Sequence, residues 1–202
     1  MKVEAVIWDL GGVLVRSEDR SKRIRWEKKL QLEPGELDKL VFEGETGRKA
    51  AMGQAQAADI WQSLRDRFAL SNEDCSLLEQ DFWAGDRVDQ ELISLIRELR
   101  PRFKTGLLSN AWPDLRHALE DLWEIADVFD KVVISAEVGL VKPDPRIYQL
   151  VLEQLGINPP QAIFIDDFAV NIKAAKQLGL HTIHFTSAAD TQIRLKELLS
   201  DS

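Results

Sequence analysis

Five short runs along the chain are largely apolar and carry apolar residues on both faces: 3–8, 103–108, 131–135, 162–165 and 181–185. Two-sided hydrophobicity over so few residues predicts strands buried on both faces, the pattern of a parallel sheet. Between the last four runs the period lengthens to that of amphipathic helices over 115–123, 147–155 and 169–178. Asp144-Pro145 supplies an N-cap followed by proline at the first helical position, and Gly156 and Gly179 stand where helices should stop. Strands alternating with helices predict an α/β fold, a doubly wound (Rossmann-like) parallel sheet.

The stretch 16–86 has another character. It is charged, carries amphipathic helical patterns at 21–30, 55–68 and 72–83, and is punctuated by Pro34-Gly35, Gly44, Gly47, Gly53 and Gly85. It contains no convincing strand, which predicts a small all-helical cap inserted after the first strand. The expected division is a core of 1–15 and 87–202 and a cap of 16–86.

Ligands of such sheets bind beyond the carboxyl ends of the strands, near the point where strand order reverses. The polar residues that immediately follow the apolar runs are Asp9, Ser109, Asn110, Asp166 and Asp167. Asp9, with Gly11 and Gly12 beyond it, offers a carboxylate that can approach a phosphorus atom without obstruction; a turn aspartate is the other reading. Ser109-Asn110 offers a hydroxyl and backbone N–H groups to a phosphoryl oxygen, or else simply caps a helix. Lys142 lies in a loop stiffened by Pro143 and Pro145, where an ammonium group can neutralise a carboxylate and a phosphate, although a loop lysine is ordinarily a surface residue. Asp166-Asp167 places two carboxylates beyond a buried strand, an arrangement that is costly unless the groups are paired or metal-bound. Magnesium, which prefers one or two carboxylates plus water and phosphate, suits them. Asn171, one helical turn further on, is placed to orient a metal-bound water.

Taken in order, Asp9-Leu10-Gly11-Gly12-Val13-Leu14, Leu107-Leu108-Ser109-Asn110, Gly139 to Pro145, and Phe164-Ile165-Asp166-Asp167 with Asn171 resemble the four motifs of the haloacid-dehalogenase-like superfamily. The resemblance covers essentially the whole chain, with the helical insert at the place of that family's first-type cap. It implies that Asp9 is the nucleophile taking a phosphoryl group, that Ser109 holds a phosphoryl oxygen with help from the Asn110 backbone, and that Lys142 pairs with Asp9 and the phosphate. It further implies that Asp9, Asp167 and the Gly11 carbonyl bind Mg²⁺ while Asp166 stands beside them. The implied activity is magnesium-dependent hydrolysis of a small phosphorylated metabolite.

One position departs from the family pattern. Its phosphatases usually carry a second Asp two residues after the nucleophile, to protonate the leaving oxygen and later activate water; here that position is Gly11. Acid–base help is worth about 10²–10⁴ in rate, so its loss favours good leaving groups such as sugar 1-phosphates and acyl phosphates. An Asp-Leu-Gly first motif also resembles the subgroup that includes sugar-1-phosphate phosphatases. Two alternatives stand beside this reading. A 2-haloacid dehalogenase attacks carbon without metal and needs no second Asp, but gains nothing from Asp166-Asp167. A non-catalytic phosphate-binding module fits Gly11 but has no need of a nucleophile.

Composition narrows the partners. The 202 residues carry a formal net charge of -8, which disfavours nucleic acid and anionic membranes. A single cysteine, Cys75, excludes an internal disulfide and a cysteine metal cluster, and reads as packing filler. No apolar stretch approaches the length of a membrane span or signal sequence, so a cytoplasmic monomer or homodimer is expected. His117, His181 and His184 show no metal spacing, and the latter two are expected to pack in or beside a buried strand. Trp112, close behind Ser109-Asn110, is a candidate pocket wall, whereas Arg16, Trp26 and Arg48 are expected to be packing or solvated residues.

Overall fold

In the computed structural model, residues 2–200 are described. Five parallel strands, β1 (Ala5–Trp8), β4 (Lys104–Ser109), β5 (Lys131–Ile134), β6 (Ala162–Asp166) and β7 (His181–His184), form one sheet in the order β5-β4-β1-β6-β7. Each corresponds to one apolar run of the sequence. Boundaries shift by a residue or two: β1 starts at Ala5, and Ser135 opens a short helix instead of closing β5.

Burial on both faces explains the two-sided hydrophobicity. Val6 and Trp8 of β1 belong to a core shared with Ile163 and Ile165 of β6 and with Leu92, Ile93 and Ile96 of α6 (Gln90–Leu99). Ala5 and Ile7 point to the opposite face, into a core with Ile147, Tyr148, Val151 and Leu155 of α9 (Pro145–Leu155) and Ala175 of α10 (Ala169–Gln177). The last helix, α11 (Ala188–Ser200), adds Leu195 to the first of these cores. Asp144 caps α9 by accepting a hydrogen bond from the Arg146 N–H, with Pro145 next, and Gly156 ends it at a φ of 63°. The pattern predicted one helix over 115–123; the structure gives a single α turn, α7 (Leu115–His117), that widens into a π turn at Ala118–Leu122.

The inserted stretch contains α1 (Ser21–Lys29), α2 (Glu36–Asp38) running into a π turn at Lys39–Glu43, α3 (Glu45–Ala51), α4 (Ala57–Phe68) and α5 (Asn72–Trp83). They enclose a third core built from Trp26, Leu37, Val41, Ile60, Trp61, Leu64, Leu78 and Phe82, which Trp112 also enters. The insert is helical except at its ends. There β2 (Val15–Ser17) pairs antiparallel with β3 (Asp86–Val88), so the chain enters and leaves the insert through one two-stranded ribbon. These strands are three residues each and polar in part, which left them without a readable period. Buried Arg23 fastens the ribbon to the helices by donating to the Phe82 carbonyl (2.7 Å), Asp38 (2.6 Å) and Asp86 (2.7 Å).

Half-buried Cys75 lies on α5 with its Sγ 3.3 Å from the Trp61 carbonyl. Among the described residues no helix is long and apolar enough to cross a membrane.

Candidate active site

The sheet register brings the polar strand ends to one edge. Trp8 is level with Leu107 on one side and Ile165 on the other, so Asp9 emerges beside Asp166, and Ser109 one step beyond on β4. The backbone N–H of Asp9 bonds to the Ile165 carbonyl at 2.9 Å. Because the strand order reverses around β1, this edge is also the topological switch point where α/β sheets hold ligands.

Lys142 reaches this edge from the loop between the short helix α8 (Ser135–Val138) and α9. Its buried ammonium group donates to Asp9 Oδ1 at 2.8 Å and to Asp166 Oδ2 at 2.7 Å. The Asp9 pairing was expected; the Asp166 pairing was not. Asp9 Oδ1 also accepts the Leu10 N–H at 2.7 Å.

Asp9, Asp166 and Asp167 each present a carboxylate oxygen within 4.8 Å of the other two. Three carboxylates facing one ammonium group leave two negative charges if all ionise, in a region where the solvent screens poorly. Burial therefore pushes the Asp9 carboxyl up to about 7, with Lys142 working against the rise and Asp166 adding to it. Asp167 is also raised, by burial first and then by Asp166. Its Oδ1 is buried and lacks a hydrogen-bond partner. An orphaned, buried carboxylate oxygen beside two further carboxylates fits a hard divalent cation, and Mg²⁺ has the matching charge and ligand preference.

Asn171 stands beside Asp166, next to the site as its spacing suggested. Its side-chain amide donates to both oxygens of Asp166, at 3.0 and 3.1 Å, so it orients that carboxylate. Asp166 Oδ1 also accepts the Phe168 N–H at 2.8 Å, and the Tyr148 hydroxyl in turn donates to the Asn171 carbonyl at 3.2 Å. Asp166 is thus fully occupied by Lys142, Asn171 and backbone, whereas Asp167 is not.

Asn110 also has a side-chain role that the sequence did not suggest. Its side chain makes a reciprocal pair with the Lys142 backbone: Nδ2 donates to the carbonyl at 2.9 Å, and Oδ1 accepts the N–H at 2.7 Å. The next residue, Ala111, is held by Ser135, whose hydroxyl accepts the Ala111 N–H at 3.0 Å. Ser109 is buried at the end of β4, level with Ile134. Gly11 and Gly12 lie in the turn after β1; Gly11 is exposed, and a Cβ built on it meets no atom within 4 Å.

The histidines correct one expectation. His181 and His184 are exposed on β7, an edge strand, rather than packed. His184 Nε2 lies 2.9 Å from the Asp167 carbonyl, a neighbour of the site that sequence reasoning set aside. Trp112, offered as a pocket wall, is almost fully buried against the insert.

Comparison with known proteins identifies the family and the fold. Residues 3–179 match the family model described as haloacid dehalogenase-like hydrolase. The chain is 28% identical to bifunctional epoxide hydrolase 2 of Sus scrofa over 98% of its own length, but it spans only 38% of that protein. It is 27% identical to the D-ribitol-5-phosphate phosphatase of Bacteroides thetaiotaomicron, covering 98% of this chain and 99% of the relative. The crystal structure of a haloacid dehalogenase family enzyme from the same organism, in complex with magnesium and inorganic phosphate, superposes with a TM-score of 0.74 at 24% identity, covering 92% of this chain and 96% of that one.

Proposed function

We propose, from the premise that the chain belongs to the haloacid dehalogenase-like hydrolase family, that it is a magnesium-dependent phosphatase of small phosphate monoesters. One observation carries the reading: Asp9, Asp166 and Asp167 converge around Lys142, and a buried oxygen of Asp167 is left without a partner. A full-length relative named as a phosphatase and a structural neighbour solved with magnesium and phosphate support it.

In this reading Asp9 is the nucleophile. Its Oδ1 is held by Lys142 and Leu10, which leaves Oδ2 to form the bond to phosphorus. The ester P–O bond breaks, the leaving oxygen takes a proton from water, and an aspartyl-phosphate forms. Water then cleaves that intermediate to inorganic phosphate and free Asp9. Ser109 and the Asn110 N–H hold a phosphoryl oxygen, and Lys142 keeps Asp9 and the phosphate from repelling each other. Asp9, Asp167 and the Gly11 carbonyl would hold Mg²⁺, which supplies charge neutralisation for the transferring group. Asp166 and Asn171 keep Lys142 in place. Residues 16–86 act as the cap over this edge. Sugar phosphates fall within the substrate class, as does any ester whose leaving group needs little help from an acid at Gly11. With its net charge of -8 and lone cysteine, the protein fits a cytoplasmic monomer or homodimer that binds neither nucleic acid nor membrane.

A metal-free dehalogenase is disfavoured, because its chemistry gives no reason to gather three carboxylates. The deciding experiment measures inorganic phosphate released from acetyl phosphate, p-nitrophenyl phosphate and sugar 1-phosphates. Turnover should require Mg²⁺ and stop with EDTA, and beryllium fluoride should inhibit by occupying Asp9. Halide release from 2-chloropropionate without metal, and no phosphate release, would overturn the reading.

A further inference from the structure

We propose that the ester's leaving group is a hydrocarbon, bound at an aromatic triangle in which Phe42 and Trp83 are open and buried Trp112 backs them; this rests on the phosphatase reading above. The three rings come from different parts of the chain: the π turn Lys39–Glu43, α5, and the loop after β4. Their centroids are mutually close, at 5.6 Å for Phe42–Trp112, 5.9 Å for Phe42–Trp83 and 5.7 Å for Trp83–Trp112. Phe82 and Trp61 back the cluster, 4.9 and 6.4 Å from Trp83.

The triangle is joined to the catalytic edge through Trp112. That residue lies three positions beyond Ser109, and the two residues between are anchored to it from both sides: Asn110 to Lys142, and Ala111 to Ser135. Trp83 lies one turn beyond Glu79 on α5, and Glu79 is near enough to Asp114 for the two charges to interact. This face of α5 meets the same loop through the Trp83–Trp112 ring contact.

Trp112 is buried, yet Phe42 and Trp83 keep 43% and 38% of their surfaces open. Two large aromatic side chains left partly open, and joined through Trp112 to the loop that follows Ser109, mark a place that an apolar ligand covers. The rings offer a polyol almost no hydrogen-bonding groups; only the indole N–H groups are polar. Glu79, one turn before Trp83, and Asp114, two positions after Trp112, bring negative rather than positive charge to these segments, so a second phosphate or a carboxylate on the leaving group is disfavoured. The chemistry selected is a monophosphate of an alkyl, prenyl or aryl alcohol.

The test compares leaving groups of matched basicity on the full chain with Mg²⁺. From methyl to hexyl phosphate, kcat/KM should rise about threefold to fourfold per methylene until the apolar surface is filled. Hexyl phosphate should surpass D-ribitol 5-phosphate, also a primary alkyl ester, by about tenfold or more. Trp83→Ala and Phe42→Ala should flatten the chain-length series through KM, and Trp83→Phe should restore it. A flat series in the wild-type protein, or preference for D-ribitol 5-phosphate, overturns the inference while acetyl phosphate turnover keeps the phosphatase reading alive. Absence of Mg²⁺-dependent acetyl phosphate turnover overturns both. Should the alanine variants fail to fold, the wild-type series alone decides.

Discussion

Gly12 and Asp167 occupy space that admits no side chain between them: a Cβ on Gly12 would lie 2.2 Å from Asp167 Oδ2. Gly12 also has a φ of 78°, so an L side chain would be strained there in any case. The turn after β1 thus sets the position of a carboxylate contributed more than 150 residues later. Gly12→Ala must displace the Asp167 carboxylate. Mg²⁺ affinity is expected to fall about 10–100-fold, the usual scale for disturbing the surroundings of a metal ligand. Titration calorimetry checks this, and an unchanged Kd in a folded variant would remove Asp167 from the metal site.

Gly11, by contrast, has room. A side chain there meets nothing within 4 Å and faces no backbone strain. Gly11→Asp is expected to fold normally and to place a carboxyl group near the leaving oxygen. Its gain in kcat should be larger for alkyl phosphates than for p-nitrophenyl phosphate, up to the 10²–10⁴ range of acid–base catalysis. Equal gains for both esters, or none, would end the leaving-group argument.

Asp9→Asn keeps the shape of the site but removes the nucleophilic charge. Turnover of every phosphate ester is expected to drop by about a thousandfold or more. Steady-state turnover by the purified variant within tenfold of wild type would refute the assignment of the nucleophile.

Asn110 acts on Lys142 through backbone hydrogen bonds, and a shift of about 1 Å in a catalytic group can cost about 10² in rate. Asn110→Ala is expected to lower kcat by up to that amount with a smaller change in KM. A rise in KM alone would mean that Asn110 meets the substrate and does not position Lys142.

The raised Asp9 carboxyl fixes the sign of a pH effect. With a folded value of about 7, above the unfolded value of 3.8, this group takes up a proton on folding between those limits. Its contribution to the stability of the metal-free protein is full below the unfolded value and is lost as pH rises toward 7. Mg²⁺ binds the deprotonated form, so its stabilising effect should grow over the same window. At about 100 times Kd a ligand adds about 3 kcal/mol, or about 5–10 °C in Tm for a domain of this size. Thermal melts with Mg²⁺ against EDTA should show the larger increment at pH 8 and a smaller one at pH 5 at equal metal concentration. Equal increments would contradict it.

The sheet could be read from sequence because its strands are buried on both faces, so Ala5-Val6-Ile7-Trp8 and Ala162-Ile163-Phe164-Ile165 leave uninterrupted apolar runs. The polar groups ending those runs were legible for the same reason: an abrupt change from buried strand to carboxylate marks the strand end, although a turn aspartate would give the same pattern at Asp9. Two kinds of feature were not legible. Short elements lack a full period, which hid β2, β3 and the π turn at 118–122. Pairings such as Lys142 with Asp166, or Asn110 with the Lys142 backbone, join residues 24 and 32 positions apart and depend on where loops converge. Asn171 was placed near the site by spacing, but its bonds to Asp166 were not foreseen, since helical spacing gives a direction and not a hydrogen bond. His184 was set aside because it showed no metal spacing and its run was read as a buried strand, whereas β7 is an edge strand on which His184 is exposed.

The ribbon of β2 and β3 has a consequence for how such a molecule can change. Residues 18–85 depart and return through neighbouring strands, with Val15 opposite Val88 and Ser17 opposite Asp86. The two ends of that stretch are about 5 Å apart, a gap that a tight hairpin turn can bridge. The whole stretch can therefore be exchanged as a cassette, shortened or transplanted without moving the strand that bears Asp9. On the sheet side such an exchange would be registered by Trp112, which would lose its packing partners, and by Ala136, whose carbonyl Gly53 closely approaches.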